Sequence, residues 1–251
     1  LDKLKPVLSS ALPAGLDPDR INRLIMTVVR KSEIALATGV SKHSLTECTD
    51  SSFIGCVLTI NSLGLDPSLG EAYLIPYENR KAGIVEAQLI ISYKGHAKLF
   101  LQHPLARNCG AEAVHEHDEF DYAYGTNPYL RHKPALGDRG KIIAYYGVAS
   151  LANGASAFQV LTPDEVKEIR RGKVGSSGDI KDSARWMERK VALTQALKLM
   201  PRTAQLQAAL EADEQPGAML FAQQVQEQRQ QETDQAAHLP QQVQPSAIPA
   251  Q

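Results

Sequence analysis

The chain has 251 residues, 43% of them hydrophobic, with 27 Lys and Arg against 28 Asp and Glu and a net charge of -1. That composition excludes a chain disordered throughout, and no apolar run approaches the ~20 residues of a membrane span. The three cysteines (Cys48, Cys56, Cys109) are odd in number and lack CxxC spacing, which argues against a disulfide framework or structural zinc.

Leu1-Asp2-Lys3-Leu4-Lys5 shows no apolar leader run, so secretion gains no support. Asp17-Pro18 reads as an N-cap with Pro at the first helical position, and Ile21, Leu24, Ile25 and Val28 recur with helical period over 18–31. Asp50-Ser51 opens a second helix with Phe53, Ile54, Val57, Leu58 and Ile60 toward the core, ended by a left-handed Gly64. From Glu71 the period shifts to two. Residues 72–75 and 85–91 read as a β-hairpin around the turn 78–83, with Val85, Ala87, Leu89 and Ile91 on one face and Glu86 and Gln88 on a wet one.

Tyr93 to Gln102 reads as a helix, and residues 109–133 as further strands broken by Gly125-Thr126-Asn127-Pro128. Ile142–Leu151 is apolar on both faces, as in a central strand, and turns at Asn153-Gly154 into 157–162. Thr162-Pro163-Asp164-Glu165 is a capping box that starts a helix running to about Gly172. A Gly/Ser-rich loop, 173–178, precedes a last helix capped by Asp182 or Ser183 and ended by Pro201. Beyond Glu214 the composition falls to low complexity, with twelve Gln between 215 and 251. The fold class is α+β: a mostly antiparallel sheet with a β-hairpin, flanked by N- and C-terminal helices. A core over 1–210 and a Gln-rich flexible tail over 211–251 divide the chain.

Charge follows that division. Residues 1–210 hold 26 bases against 22 acids, the tail one base against six acids, and the stretch 166–202 ten bases against four acids. A cationic stretch of this kind can neutralise phosphates. Its candidates are Arg170, Arg171, Lys173, Lys181, Arg185, Arg189, Lys190 and Lys198, with Arg185 and Arg189 one helical turn apart. A second candidate patch is Tyr93, Lys94, Gly95 and His96 with Lys98, where stacking and phosphate contact combine. A third is Arg131, His132 and Lys133 in a loop, with Arg139-Gly140 after it. The alternative is an ordinary solvated surface for the first and third, and a Tyr packed at the sheet edge for the second.

Catalytic motifs are sparse. The sequence lacks a GxxxxGK[ST] phosphate loop, a GxSxG elbow and an HExxH pair. His115, His117 and Asp118 leave a metal-dependent nuclease as a rival reading, and a structural filament protein as another.

An ordered set of short blocks then narrows the choice. Leu63-Gly64-Leu65-Asp66-Pro67, Ala72-Tyr73-Leu74-Ile75-Pro76-Tyr77, Tyr93-Lys94-Gly95 and Asp118-Glu119-Phe120-Asp121-Tyr122 with Gly125-Thr126 are followed by His132-Lys133-Pro134 and the run from Trp186-Met187 through Arg189-Lys190 to Leu199-Met200-Pro201. Over roughly residues 45–202 this set resembles the RecT family of phage and prophage single-strand annealing recombinases. In that family a Gly usually precedes Tyr-Lys-Gly, where this chain has Ser92.

The resemblance implies single-stranded DNA as ligand and annealed duplex as product, assembly into a homo-oligomeric ring or helical filament, and no required nucleotide cofactor. Divalent cations remain as modulators of assembly. It also implies a companion 5′-3′ exonuclease, contact with host SSB, work in the cytoplasm of a bacterial host without a membrane, and a distant likeness to eukaryotic annealing proteins.

Overall fold

The computed structural model describes residues 18–171 and 184–214, with side chains from residue 22 onward. Helix α1 (Pro18–Ala37) buries Ile25, Val28 and Val29, and it runs six residues past the expected end. Helix α2 (Asp50–Ser62) is followed by Gly64 at φ +66°, as its position predicts. Strands β1 (Ala72–Asn79) and β2 (Ile84–Ile91) form the expected antiparallel hairpin. Its Ala87 face packs on α2, where the Cys56 thiol donates to the Ala87 carbonyl at 3.4 Å. Burial pushes that thiol up to about 12, which leaves it inert. The other face is wet only in part. Gln88 is buried, while its neighbours across the hairpin on β1, Tyr73, Ile75 and Tyr77, stay exposed.

Helix α3 (Tyr93–Leu101) begins under Ser92, whose hydroxyl accepts from the Gly95 amide at 3.1 Å and donates to the Gly70 carbonyl at 2.7 Å. Ser92 therefore acts as an N-cap at the position where the resemblance leads to the expectation of glycine. Gly95 is needed for close packing: a Cβ there would sit 2.2 Å from the Glu71 carbonyl oxygen.

Strands β3 (Ala106–His115), β6 (Ile142–Leu151) and β7 (Ser156–Leu161) make an antiparallel sheet with β6 in the centre, as its two-sided apolar character predicts. On one face lie Tyr145, Gly147 and Ala149, covered by helix α5 (Trp186–Leu197). A Cβ on Gly147 would lie 2.1 Å from the Ala192 carbonyl oxygen, so helix and sheet meet backbone to backbone. On the opposite face, strands β4 (Glu119–Ala123) and β5 (Tyr129–Lys133) form a separate ribbon seated through rings. Phe120 stacks on Tyr146 at 5.8 Å between centroids, and Tyr124 on Phe158 at 5.0 Å.

Helix α4 (Pro163–Arg170) carries both bonds of the Thr162–Glu165 capping box. The cap expected at Asp182 or Ser183 is overturned. Those residues lie outside the described ones, and the N-cap of α5 is Arg185, which makes no side-chain cap bond and holds φ +53°. A further helix, α6 (Ala204–Glu214), was not anticipated and runs four residues into the segment read as tail. It buries Leu206, Ala209 and Leu210, and its Asp213 meets the buried Lys190 ammonium at 2.8 Å.

Candidate nucleic-acid interface

Where the start of β6 meets α4 and the N-terminus of α5, the surface opens into a cleft of about 550 Å³. Among the described residues, Lys141, Lys167, Arg170 and Arg185 line it, with His115, Tyr145 and a single acid, Glu188. Each cation arrives for a local reason. The capping box fixes the start of α4 and so places Lys167 and Arg170 on its last turn. Lys141 stands at the entry to β6, where its amide donates to the Glu116 carboxylate at 3.1 Å. Arg185 is turned by its left-handed backbone, a conformation that costs a non-glycine residue about 1–2 kcal/mol.

The four cations differ in how firmly they are engaged. Arg170 is paired with Glu188 at 3.1 Å, both largely buried. Lys167 pairs with Asp164 at 3.2 Å, but both are exposed and such a pair contributes little. The side chains of Lys141 and Arg185 have no ion-pair partner among the described residues. The positive charge that the cleft offers to a ligand therefore rests first on Lys141 and Arg185, with Lys167 only loosely engaged.

Other expected cations are held elsewhere. Lys98 bridges the Glu71 carboxylate at 2.7 Å and the Gly64 carbonyl at 2.9 Å. Lys190 is buried against Asp213, and Lys198 pairs with Glu214 at the far end of α5, thirteen residues or about 20 Å from Arg185. Arg171 pairs with Glu168, and Lys133 with Glu119 across the ribbon. Lys94 is exposed, without an ion pair among the described residues, and stands apart from the cleft. Lys173 and Lys181 lie outside the described residues.

Arg189 serves as a strut. Its Nε donates to the Ala111 carbonyl at 2.7 Å, its Nη2 pairs with Glu112, and its guanidinium lies 4.4 Å from the Trp186 ring centroid and 5.8 Å from that of Tyr93. Tyr93 is fixed in turn, since its hydroxyl accepts from the Ala111 amide at 3.0 Å and its ring meets Trp186 at 5.2 Å. Burial raises the Tyr93 hydroxyl pKa, keeping it protonated.

The His115–Asp118 segment organises the root of the ribbon. The Asp118 carboxylate is fully buried and accepts five hydrogen bonds: two from Arg139, one from His132 Nε2 and one each from the His115 and Ala135 amides. Arg139 above all holds this carboxyl well below the usual range. An ionised carboxylate only accepts, so His132 carries its hydrogen on Nε2. His132 is thus a buried strut beneath the ribbon. His117 turns away to the Asp138 carbonyl at 2.8 Å, and no group of three or more metal-ligating side chains converges among the described residues. Asp118 has its lone pairs committed, which removes the central acid of the nuclease reading.

Of the residues singled out in the sequence as DNA-binding candidates, Arg170 and Arg185 line this cleft, whereas Lys141, Lys167 and Tyr145 were not among them. Lys141 follows Gly140 at a strand entrance, a signal too common to single it out.

Comparison with known proteins agrees with this reading of the blocks. The model of the RecT family matches residues 19–235. Protein RecT of Escherichia coli (strain K12) is 30% identical over 216 residues, spanning 84% of this chain and 77% of that relative. With the ordered motifs placed in a single fold and the match running through nearly all of it, the chain belongs to the RecT family of single-strand annealing recombination proteins.

Proposed function

We propose that this protein grips single-stranded DNA by its backbone along the Lys141–Lys167–Arg170–Arg185 cleft and anneals it to a complementary strand without ATP. The observation that carries this reading is the convergence of four cations, from three separate segments, on one open cleft. Backbone contact leaves the base edges outward, so complementarity is judged by the bases themselves and sequence is not read by the protein. The reaction makes and breaks no covalent bond, and the protein acts as an annealing factor rather than an enzyme. Subunits tile along the strand as a homo-oligomer, ring or helical filament, with divalent cations as modulators. A 5′-3′ exonuclease would supply the strand, and host SSB would be met on it in the cytoplasm of a bacterial host.

The test is a two-oligonucleotide annealing assay without nucleotide, using matched and unmatched pairs. Matched strands should anneal faster with protein, and the double variant Lys141→Glu, Arg185→Glu should lose most of that gain. Affinity should fall with salt at about 0.7 log units per phosphate neutralised, a slope of about 1.4 for Lys141 and Arg185 alone and about 2.8 when the ion pairs of Lys167 and Arg170 also open to the strand. No acceleration, or a double variant with unchanged binding and slope, would overturn the assignment.

A further inference from the structure

We propose that Trp186 is a base-stacking platform at the edge of the cleft, an inference that rests on the backbone-binding reading above. Trp186 is the sole tryptophan of the chain. It is the first residue of α5, next to the cleft residue Arg185 and two before the cleft residue Glu188. The residue is 42% exposed, although a ring of this size contributes most to a fold when buried.

The indole is also pre-set. Arg189 lies against it at 4.4 Å, Tyr93 braces it at 5.2 Å with planes inclined by 58°, and both braces are tied to the backbone of Ala111 on β3. An aromatic group held this firmly loses little conformational freedom when a ligand settles on it. The ligand is set by its neighbours. Cations beside an exposed indole suit a polyanion that carries aromatic rings, which describes a nucleic acid strand. Stacking engages the face of a base and leaves its pairing edge open, so it is compatible with annealing. Every base has such a face, so the contact is indifferent to sequence.

The experiment compares an oligothymidylate with an abasic deoxyribose-phosphate strand of equal length, both labelled for anisotropy, alongside intrinsic tryptophan fluorescence of the full chain. The wild-type protein should bind the oligothymidylate about five- to 150-fold more tightly than the abasic strand. Fluorescence should be quenched by the first strand only. Trp186→Ala should bring the two affinities together and leave abasic binding unchanged, while Trp186→Phe should keep most of the preference.

If the wild type binds both strands equally, or Trp186→Ala retains the preference, the stacking proposal is overturned. In that case weaker binding of both strands by Lys141→Glu would leave the cleft reading standing. If the wild type binds neither strand, both readings fall. Circular dichroism of each variant, together with intact abasic binding, separates lost stacking from lost folding.

Discussion

Gly147→Ala tests whether the cleft depends on the direct seating of α5 on β6. The new Cβ would lie 2.1 Å from the Ala192 carbonyl oxygen, 2.5 Å from its carbonyl carbon and 2.7 Å from the Leu193 nitrogen. Contacts under 3.0 Å essentially never occur, so helix and strand must part by at least 0.9 Å. All three obstacles are backbone atoms, so no rotamer change relieves them and no side-chain substitution at Ala192 rescues the variant. Overpacking typically costs about 1–3 kcal/mol. Because both partners here are backbone, we expect about 3 kcal/mol or more. Urea denaturation followed by circular dichroism measures this as a lower midpoint with little change in slope. The same displacement moves Arg185 and Trp186 relative to Lys141, so single-strand affinity should drop even in the folded fraction. A midpoint within experimental error of wild type would refute the backbone-contact reasoning.

Two further predictions concern charge and strain. Asp118→Ala leaves Arg139 and His132 without their acceptor and should cost about 3–5 kcal/mol in chemical denaturation. Asp118 is held below the usual carboxylate range, so its stabilisation is full above about pH 4 and drains as pH falls toward its folded value. Asp118→Asn should therefore flatten the acid side of the stability profile. Arg185→Gly should relieve the left-handed backbone and stabilise the fold by up to about 1 kcal/mol while weakening single-strand binding. A lower melting temperature would contradict the assignment of strain.

Much of the fold was legible because its signals are local. The Thr162–Glu165 capping box, left-handed Gly64, the Asn153-Gly154 turn and the two-sided apolar run 142–151 each act within a few residues. Helix α6 was obscured although Leu206, Ala209 and Leu210 carry helical spacing, because the pattern is short and borders Gln-rich sequence. The site was harder to read for a different reason. A basic residue's role depends on whether an acid faces it, and those acids are distant in sequence. Arg189 and Glu112 are 77 positions apart, Lys98 and Glu71 27, Lys190 and Asp213 23. The stretch 166–202 thus showed where positive charge is dense without showing which cations remain available.

That internal neutralisation has a kinetic corollary. Because α5 ties up most of its cations in house, a polynucleotide resting at its N-terminal end would be tethered at only a few points. Each step along the strand would then break few contacts and remake as many. Such loose footing suits a partner that must slide two strands past one another until their registers agree, and then let go.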